Sequence, residues 1–301
     1  MSPQETEVRT ERVRTMAWGI IMSPHMFTRV ATVLSLLLAT TTVLLSVAVP
    51  GVAGSMVIAG NGPELSTIER LTKAFEKGHL GSVVEIQWEQ DSDPIELVKS
   101  GEVHVAVTGQ HDPELTAIPI AWDGIAVVVD STNPVTEVTT QQVGDIFSGK
   151  VKRWSALGGP DTTIQLIDRP RFQHIRHSFE EALGIVGKIP KSVKVVRSDQ
   201  RAISTVAGSL PAVTYASLGV ALEAVKYGVN VKLLVIDRVE AAKETVKDGR
   251  YKLRRPVLLL SKQRPNPVAE AFARFALSKE GQDIIGEVFI PYKSLGTVEA
   301  T

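Results

Sequence analysis

The sequence predicts a two-lobed α/β fold in which each lobe is a mixed, mostly parallel sheet flanked by helices, with a two-strand hinge. From Met56 onward, short apolar strand patterns alternate with amphipathic helix patterns, which is typical of parallel sheets covered by helices. A long strand pattern, IPIAWDGIAVVVD, is interrupted at Asp123 and Gly124, and VKLLVID is a candidate return strand. Two such crossings form a hinge suited to closure around a ligand. The predicted units are an N-terminal segment (1–53), a first lobe (54–124 plus 233–301) and a second lobe (125–232).

The individual elements follow from local patterns. MVIAG predicts a strand, and STIERLTKAFEKG predicts a helix whose Ser66 to Glu69 spacing is that of a capping box. SVVEIQW and VHVAVTG are further strands, separated by the short helix pattern DPIELVKSG that ends at Gly101. The later strands are predicted at TIQLID, SVKVV, AVTYASLG and PVLLLS, and the later helices at residues 199–208, 267–277 and 279–288.

The N-terminal segment carries an export signal. Arg29 precedes an uncharged run at residues 30–50, and small residues follow it, which is the pattern of a secretory signal peptide. At about 20 residues, the run at 30–49 is also long enough to act as an uncleaved membrane anchor. Met26 is a more ordinary start for such a signal than Met1. We therefore expect a periplasmic or other extracytoplasmic protein.

Composition excludes several classes of protein and site. The 33 basic and 33 acidic side chains balance, and no basic stripe is present, so the sequence argues against nucleic-acid binding. The chain has no cysteine, which excludes disulfides, thiolate metal sites, a cysteine nucleophile and a lipid-modified cysteine. It contains no HExxH, no phosphate-loop lysine and no glycine-flanked nucleophilic serine. We therefore predict no catalytic residue, no metal and no cofactor.

A dense set of motif residues lies between residues 123 and 169. They are Asp123-Gly124, Asn133-Pro134, the run DIFSGK from Asp145 to Lys150, Trp154, Leu157-Gly158-Gly159 and Arg169. In this order and spacing they resemble the centre of the phosphate-binding proteins of ABC importers, which have the type II periplasmic-binding-protein fold. Weaker similarity extends the resemblance over about residues 56–290. Most of these residues are expected to serve structure, with glycines in turns and Phe147 and Trp154 in the core.

The resemblance implies a ligand held between the lobes by backbone N–H groups, hydroxyls, an arginine and one acid. The first implied contact loop contains Asn61 and Gly62, but Glu64 stands where the family has a small hydroxyl donor. An ionised carboxylate only accepts hydrogen bonds, which makes this loop a poor cradle for phosphate. The alternative interpretation is a turn followed by an acid that the helix dipole favours.

The second and third implied contact regions are also altered. Ser92 is a possible donor, but Asp91 and Asp93 beside it would repel a dianion, and a helix N-cap explains them as well. Gly109 lies where the resemblance implies an acid that faces the ligand. Asp112, three residues later, is a candidate replacement.

The fourth implied contact region is the segment DRPRFQHIRHSFEEAL at residues 168–183. Arg169 matches the family arginine, whereas FQHI replaces a turn of glycines and hydroxyls. Apolar residues at helical spacing, including Phe172, predict a helix that begins near Pro170. Arg171, His174 and His177 lie off the apolar stripe and face either the cleft or solvent. The two histidines lack an evident third metal ligand.

These observations predict a monomeric, exported solute-binding protein that delivers a small oxyanion or small polar solute to the membrane permease of an ABC importer. Because the contact loops are altered, we expect weak phosphate binding, another solute or no ligand. The alternative is a periplasmic interaction or sensory protein that has lost its ligand. The predicted ligand-binding residues are Asn61, Gly62, Ser92, Asp112, Arg169, Arg171, Gln173 and His174.

Overall fold

The computed structural model describes residues 52–89 and 91–292. The predicted signal or anchor at residues 30–49 and the candidate start at Met26 lie outside the described residues. Among the residues that are described, no helix combines the length and apolar character needed to cross a bilayer.

Within those residues, twelve strands alternate with nine α-helices. The strands are β1 (Gly54–Gly60), β2 (Ser82–Trp88), β3 (Val105–Thr108), β4 (Thr116–Asp130), β5 (Glu137–Val138), β6 (Gln165–Asp168), β7 (Lys194–Val195), β8 (Ala212–Ser217), β9 (Val231–Leu233), β10 (Val235–Ile236), β11 (Arg254–Ser261) and β12 (Ile290–Pro291). The helices are α1 (Leu65–Gly78), α2 (Pro94–Ser100), α3 (Thr140–Phe147), α4 (His174–Ala182), α5 (Asp199–Val206), α6 (Leu218–Lys226), α7 (Lys243–Lys247), α8 (Pro267–Ala276) and α9 (Lys279–Gly286), with a 3-10 helix at Trp154–Leu157.

Ten strands form one mixed sheet. Its order is β2-β1-β3-β11-β4-β8-β6-β7, with β9 and β12 also paired to β4, while β5 and β10 form a separate pair. The strands at both ends pair in parallel, β1 with β2 and β3, and β6 with β7 and β8. The strands β4 and β11 in the middle pair in antiparallel orientation with their neighbours. The predicted mixed α/β fold is confirmed, and its parallel part lies at the two ends of the sheet.

Strand β4 joins the two ends of the sheet. Its first part, up to Gly124, pairs with β11 and β12, whereas its second part, from Ile125, pairs with β8 and β9. The change of partner falls beside Asp123 and Gly124, where the sequence pattern is interrupted. The predicted long strand is confirmed, but it continues through Asp123 and Gly124, so the predicted interruption is wrong.

Two large hydrophobic cores lie along the sheet. One packs β1, β3 and β11 against α1, α8 and α9, and the other packs the second part of β4 and strand β8 against helices α3 to α6. Phe147 and Trp154 are fully buried in the second core, as predicted. Gly149 and Gly158 have φ of 76° and 78°, which confirms their interpretation as turn residues.

The contacts of the later strands bear on where the chain returns from the second core to the first. Strand β10 still pairs with β5, and both Tyr251 and Leu253 pack in the second core. Strand β11 pairs with the first part of β4, beginning with Arg254 opposite Gly124. The division into lobes remains a prediction, and these contacts favour a return at Leu253–Arg254 rather than after residue 232.

Two helix starts differ from expectation. Helix α1 begins at Leu65 with Glu64 as its N-cap, so Ser66 is already helical and the predicted capping box is wrong. Helix α4 begins at His174 because the preceding Gln173 is extended, with ψ of 126°. The start predicted near Pro170 is therefore wrong. Phe172, expected on the apolar stripe of that helix, is 39% exposed.

Candidate functional site

A group of buried charged side chains lies where loops and strands from both cores converge. We call it the central ionic cluster, and none of its members is more than 4% exposed. Strands β4 and β11 supply two members directly, and the segments after β1, β6 and β7 supply the others. The carboxyl ends of strands are the usual location of sites in open α/β sheets. The cluster consists of Glu64, Asp123, Arg169, His174, Asp199 and Arg255.

Arg255 is the centre of the first half of the cluster. Its Nη2 donates to Oε1 of Glu64 at 2.6 Å and to Oδ2 of Asp123 at 2.8 Å. Its Nη1 lies 2.8 Å from Nδ1 of His174. A guanidinium group has only donors, so Nδ1 accepts and His174 is a neutral imidazole that carries its proton on Nε2. That Nε2 lies 3.5 Å from Oε2 of Glu64.

Arg169 and Asp199 form the second half of the cluster. Nη2 of Arg169 donates to Oδ1 of Asp199 at 2.9 Å and to the carbonyl oxygen of Tyr215 at 2.7 Å. The Ser217 backbone N–H donates to Oδ2 of Asp199 at 2.8 Å, and its hydroxyl donates to Oδ1 of Asp123 at 3.0 Å. Ser217 therefore links the two halves. The resemblance implied that the guanidinium of Arg169 binds the ligand. In the structure, Asp199 and the Tyr215 carbonyl group bind it instead.

The two acids nearest Arg255 have opposite pKa shifts. Burial by itself raises the pKa of Glu64, but the charge of Arg255 and the contact with His174 outweigh it and lower the pKa to about 2. Burial raises the pKa of Asp123 to about 7, because the charge of Arg255 only partly offsets desolvation and the Glu64 charge adds to it. Glu64 is therefore an anion at neutral pH, and Asp123 holds a proton for part of the time.

The charges of the cluster compensate one another. Three carboxylates face two guanidinium groups and one neutral imidazole. The net charge is negative when Asp123 is ionised and zero when it is protonated. Buried charges persist in proteins when they are paired in this way. The cluster consequently has no surplus positive charge for a free anion.

A second buried network fixes the start of helix α4. Arg176 contacts Oδ2 of Asp168 and Oε1 of Glu180, both at 2.8 Å. The Tyr215 hydroxyl donates to Oδ1 of Asp168 at 2.7 Å. Burial raises the pKa of Asp168, although the Tyr215 hydrogen bond and the charge of Arg176 oppose this. These contacts position His174 at the first turn of the helix.

A cavity of about 220 Å³ lies between the first turns of α1 and α5, next to the central ionic cluster. We call it the α1–α5 cavity. The first backbone N–H groups of a helix have no partner within the helix, so both helix starts offer donors to it. Its lining includes Asn61, Gly62, Ser66, Trp88, Gln173 and Arg197.

Two amide side chains of the α1–α5 cavity are held by backbone carbonyl groups. The Asn61 amide nitrogen donates to the carbonyl oxygen of Ser92 at 3.0 Å, and the Gln173 amide nitrogen donates to the carbonyl oxygen of Arg197 at 2.7 Å. Oδ1 of Asn61 is buried and has no hydrogen-bond partner among the described residues. Arg197 is exposed and forms an ion pair with Asp91. The cavity therefore lies against two helix starts and against amide side chains whose nitrogens are already bound within the protein, which suits a small polar solute.

The structure brings together some of the predicted ligand-binding residues. Asn61, Gly62 and Gln173 line the α1–α5 cavity, while Arg169 and His174 belong to the adjacent cluster. The alternative that His174 faces solvent is wrong, because its side chain is 2% exposed.

The remaining predicted residues do not join them. Arg171 is exposed, the Ser92 hydroxyl donates to the carbonyl oxygen of Glu89, and Asp112 contacts Lys99 at 3.4 Å. None of these three lines the α1–α5 cavity. A ligand role for them has only the resemblance in its favour.

Two alternative interpretations of the acids are resolved. Asp93 is the N-cap of α2, since its side chain accepts a hydrogen bond from the Ile95 N–H, as the cap interpretation predicted. Glu64 does start helix α1, but it is buried and paired with Arg255 rather than solvated. His177 pairs with Glu181 at 2.9 Å on the outer part of α4.

Sequence reasoning missed Asp199 and Arg255 as site residues. A signal for Arg255 was present, since it lies inside the apolar strand RRPVLLLS, and a charge in a buried strand requires a partner. No comparable signal marked Asp199. Among the described residues, no group of three or more His, Asp or Glu side chains is arranged to hold a metal ion.

Comparison with known proteins identifies the family. Residues 46–280, most of the chain, match the model of the PBP superfamily domain. The chain belongs to the PBP superfamily. Solved structures agree with this fold, including one described as a phosphate ABC transporter substrate-binding protein from Clostridium perfringens with bound phosphate. That structure has a TM-score of 0.72 and 28% identity, and the match covers 79% of this chain and 99% of the other. An ABC-type phosphate transport receptor from Vibrio cholerae, 24% identical with a TM-score of 0.69, matches 79% of this chain and 100% of its own.

Curated relatives match a smaller share of the chain. The phosphate-binding protein PstS of Borreliella burgdorferi is 24% identical over 56% of this chain, and that of Pseudomonas aeruginosa is 27% identical over 59%. PstS 2 of Streptococcus agalactiae is 34% identical over 35% of this chain. The matches span 62%, 61% and 38% of the relatives' own lengths, respectively.

Proposed function

We propose that this chain is the extracytoplasmic solute-binding component of an ABC importer and that it binds a small polar solute in the α1–α5 cavity. The observation that carries the proposal is the position of this cavity between two helix starts that belong to different cores. Helix starts are sites for anionic or acceptor groups of a ligand. A solute held there contacts both cores at once.

Closure and docking complete the proposed cycle. Strand β4 and the return at Leu253–Arg254 are the two connections between the cores, and they form the hinge. The closed, solute-bound form docks as a monomer on a membrane permease, and no covalent chemistry takes place. The export pattern at residues 30–50 and the names of the relatives support this assignment.

Inorganic phosphate is a poor candidate for the solute. The central ionic cluster is electrically compensated, and Arg169 is bound by Asp199 and by a backbone carbonyl. We therefore propose a small polar solute other than inorganic phosphate.

Native mass spectrometry of the full chain, purified without denaturation, tests the proposed site. We expect a co-purified small molecule in the wild type and its loss in Ser66→Trp, whose indole fills the α1–α5 cavity. Lys73→Trp places the same side chain on an exposed position of α1 outside the cavity and should retain the molecule. Retention by both variants contradicts the assignment of this cavity.

The second candidate function is a periplasmic interaction or sensory protein that has lost its ligand. The observation that favours it is the central ionic cluster, because its charges are paired without any ligand. Capture of an importer permease by the tagged chain would count against this function. A wild-type chain that co-purifies no small molecule and captures no permease would support it.

A further inference from the structure

The Glu64 carboxylate lies in surroundings that proteins use to bind a free oxyanion. Its side chain is fully buried at the N-cap of α1, with Nη2 of Arg255 at 2.6 Å and Nε2 of His174 at 3.5 Å. A guanidinium, an imidazole N–H and a helix start are the usual donors to carboxylates and phosphates. Here the acceptor is the carboxylate of Glu64, which belongs to the chain itself.

The backbone at Gly62 and Gly109 packs closely against the Glu64 carboxylate and its partners. A Cβ atom added to Gly62 would lie 2.3 Å from both Oε2 of Glu64 and Nε2 of His174. One added to Gly109 would lie 3.2 Å from Nδ1 of His174 and 3.3 Å from Nη1 of Arg255. A second anion therefore has no room beside Glu64.

Charge leads to the same conclusion. Arg255 already faces Glu64 and Asp123, and both acids are buried. A further anion would add negative charge to a group that has no surplus positive charge. A free oxyanion can therefore bind beside Arg255 and His174 only when the Glu64 carboxylate is absent.

We propose that Glu64 is a built-in anion that fills a latent oxyanion site, and that formate or inorganic phosphate binds beside Arg255 and His174 once this carboxylate is removed. Glu64 thus acts as a specificity-determining residue that excludes small oxyanions from the wild-type protein. The inference holds whichever solute the α1–α5 cavity takes. Retention of the co-purified molecule by both Ser66→Trp and Lys73→Trp would contradict the assigned solute cavity and leave this inference intact.

The test measures the melting temperature of the full-length Glu64→Ser variant against formate or phosphate, with chloride at equal ionic strength as the reference. Serine is a favourable N-cap residue, so α1 keeps its start. We expect a saturable rise of at least about 5 °C with either oxyanion. The wild type should not respond. Glu280→Ser removes an exposed acid from the first turn of α9, outside the α1–α5 cavity, and should not respond either.

Glu64→Gln separates charge from space. Glutamine removes the charge and keeps the volume, so we expect no oxyanion response in this variant. An unchanged melting temperature of Glu64→Ser with both oxyanions, or an equal rise in the wild type or in Glu64→Gln, overturns the proposal.

If Glu64→Ser does not fold by itself, a refolding experiment tests the proposal. Dilution from denaturant into formate or phosphate should recover folded protein, whereas chloride should recover little. Failure of both oxyanions to improve recovery over chloride also overturns the proposal.

Discussion

Arg255 and Glu64 are 191 residues apart in sequence, yet Nη2 of the arginine lies 2.6 Å from Oε1 of the glutamate, and both side chains are buried. The same nitrogen donates to Asp123 on strand β4. One guanidinium therefore compensates two carboxylates that would otherwise be unpaired in the interior. The stability of the fold depends on this contact, and so does the exclusion of free anions.

Replacement of Arg255 by methionine should destabilise the protein strongly. Methionine preserves most of the volume but leaves two buried carboxylates without their cation. Breaking a buried ion pair by removal of one partner costs about 3–5 kcal/mol. Denaturant titration should therefore show a large fall in the transition midpoint at unchanged slope.

Arg274→Met is the matched control for this experiment. Arg274 pairs with Glu270 on the exposed face of α8, with 62% and 59% of the side chains exposed. An exposed pair contributes little to stability, so the midpoint should hardly move. Equal shifts in the two variants would contradict the role assigned to Arg255.

The stability of the protein should fall as pH rises through the neutral range. The pKa of Asp123 is about 7 in the folded protein, against an ordinary value of 3.8, so the folded state binds more protons than the unfolded state between these values. The contribution of Asp123 is present below its ordinary pKa and is lost as pH rises through 7. Glu64 has a pKa of about 2 in place of 4.5, so its contribution is present above 4.5 and is lost toward pH 2.

Melting temperatures at about pH 5 and about pH 8 measure the effect of Asp123. We expect the higher value at the lower pH, and a smaller difference in Asp123→Asn, whose side chain does not ionise. Asp145→Asn is the control, because Gln141 and Lys150 lower the pKa of Asp145 and it does not titrate in this window. A wild-type difference that persists in Asp123→Asn would rule out Asp123 as its source.

Gly62→Ala should destabilise the protein through direct overlap. The new Cβ lies 2.3 Å from two buried groups, Oε2 of Glu64 and Nε2 of His174, so at least one must move. Insertion of a methyl group into a closely packed site costs about 1–3 kcal/mol. Gly78→Ala at the end of α1 meets no atom within 4 Å and serves as the control in denaturant titration. Equal stability of Gly62→Ala and the wild type would show that the Glu64 and His174 side chains are free to move.

The fold was predictable because its signals are local. The alternation of apolar strands with amphipathic helices, and the long apolar run around Asp123 that forms one strand, are properties of neighbouring residues. The exact helix starts were harder to predict from the sequence. The start of α4 depends on buried contacts of Arg176 with Asp168 and Glu180, which a periodic pattern does not contain.

The site was only partly predictable because its decisive contacts are distant in sequence. The loss of glycines and hydroxyls after Arg169 and the acid at position 64 predict an altered phosphate site, which stays a prediction. The buried partners of these side chains, Arg255 for Glu64 and Asp199 for Arg169, became evident only from the packing of separate strands.

Isothermal titration of the full-length wild-type chain with inorganic phosphate tests most directly whether the chain's own carboxylate occupies the anion position. We expect no saturable heat up to about 1 mM phosphate, since Glu64 occupies the position beside Arg255 and His174. Saturable binding with a Kd of about 1 μM or tighter would contradict this account.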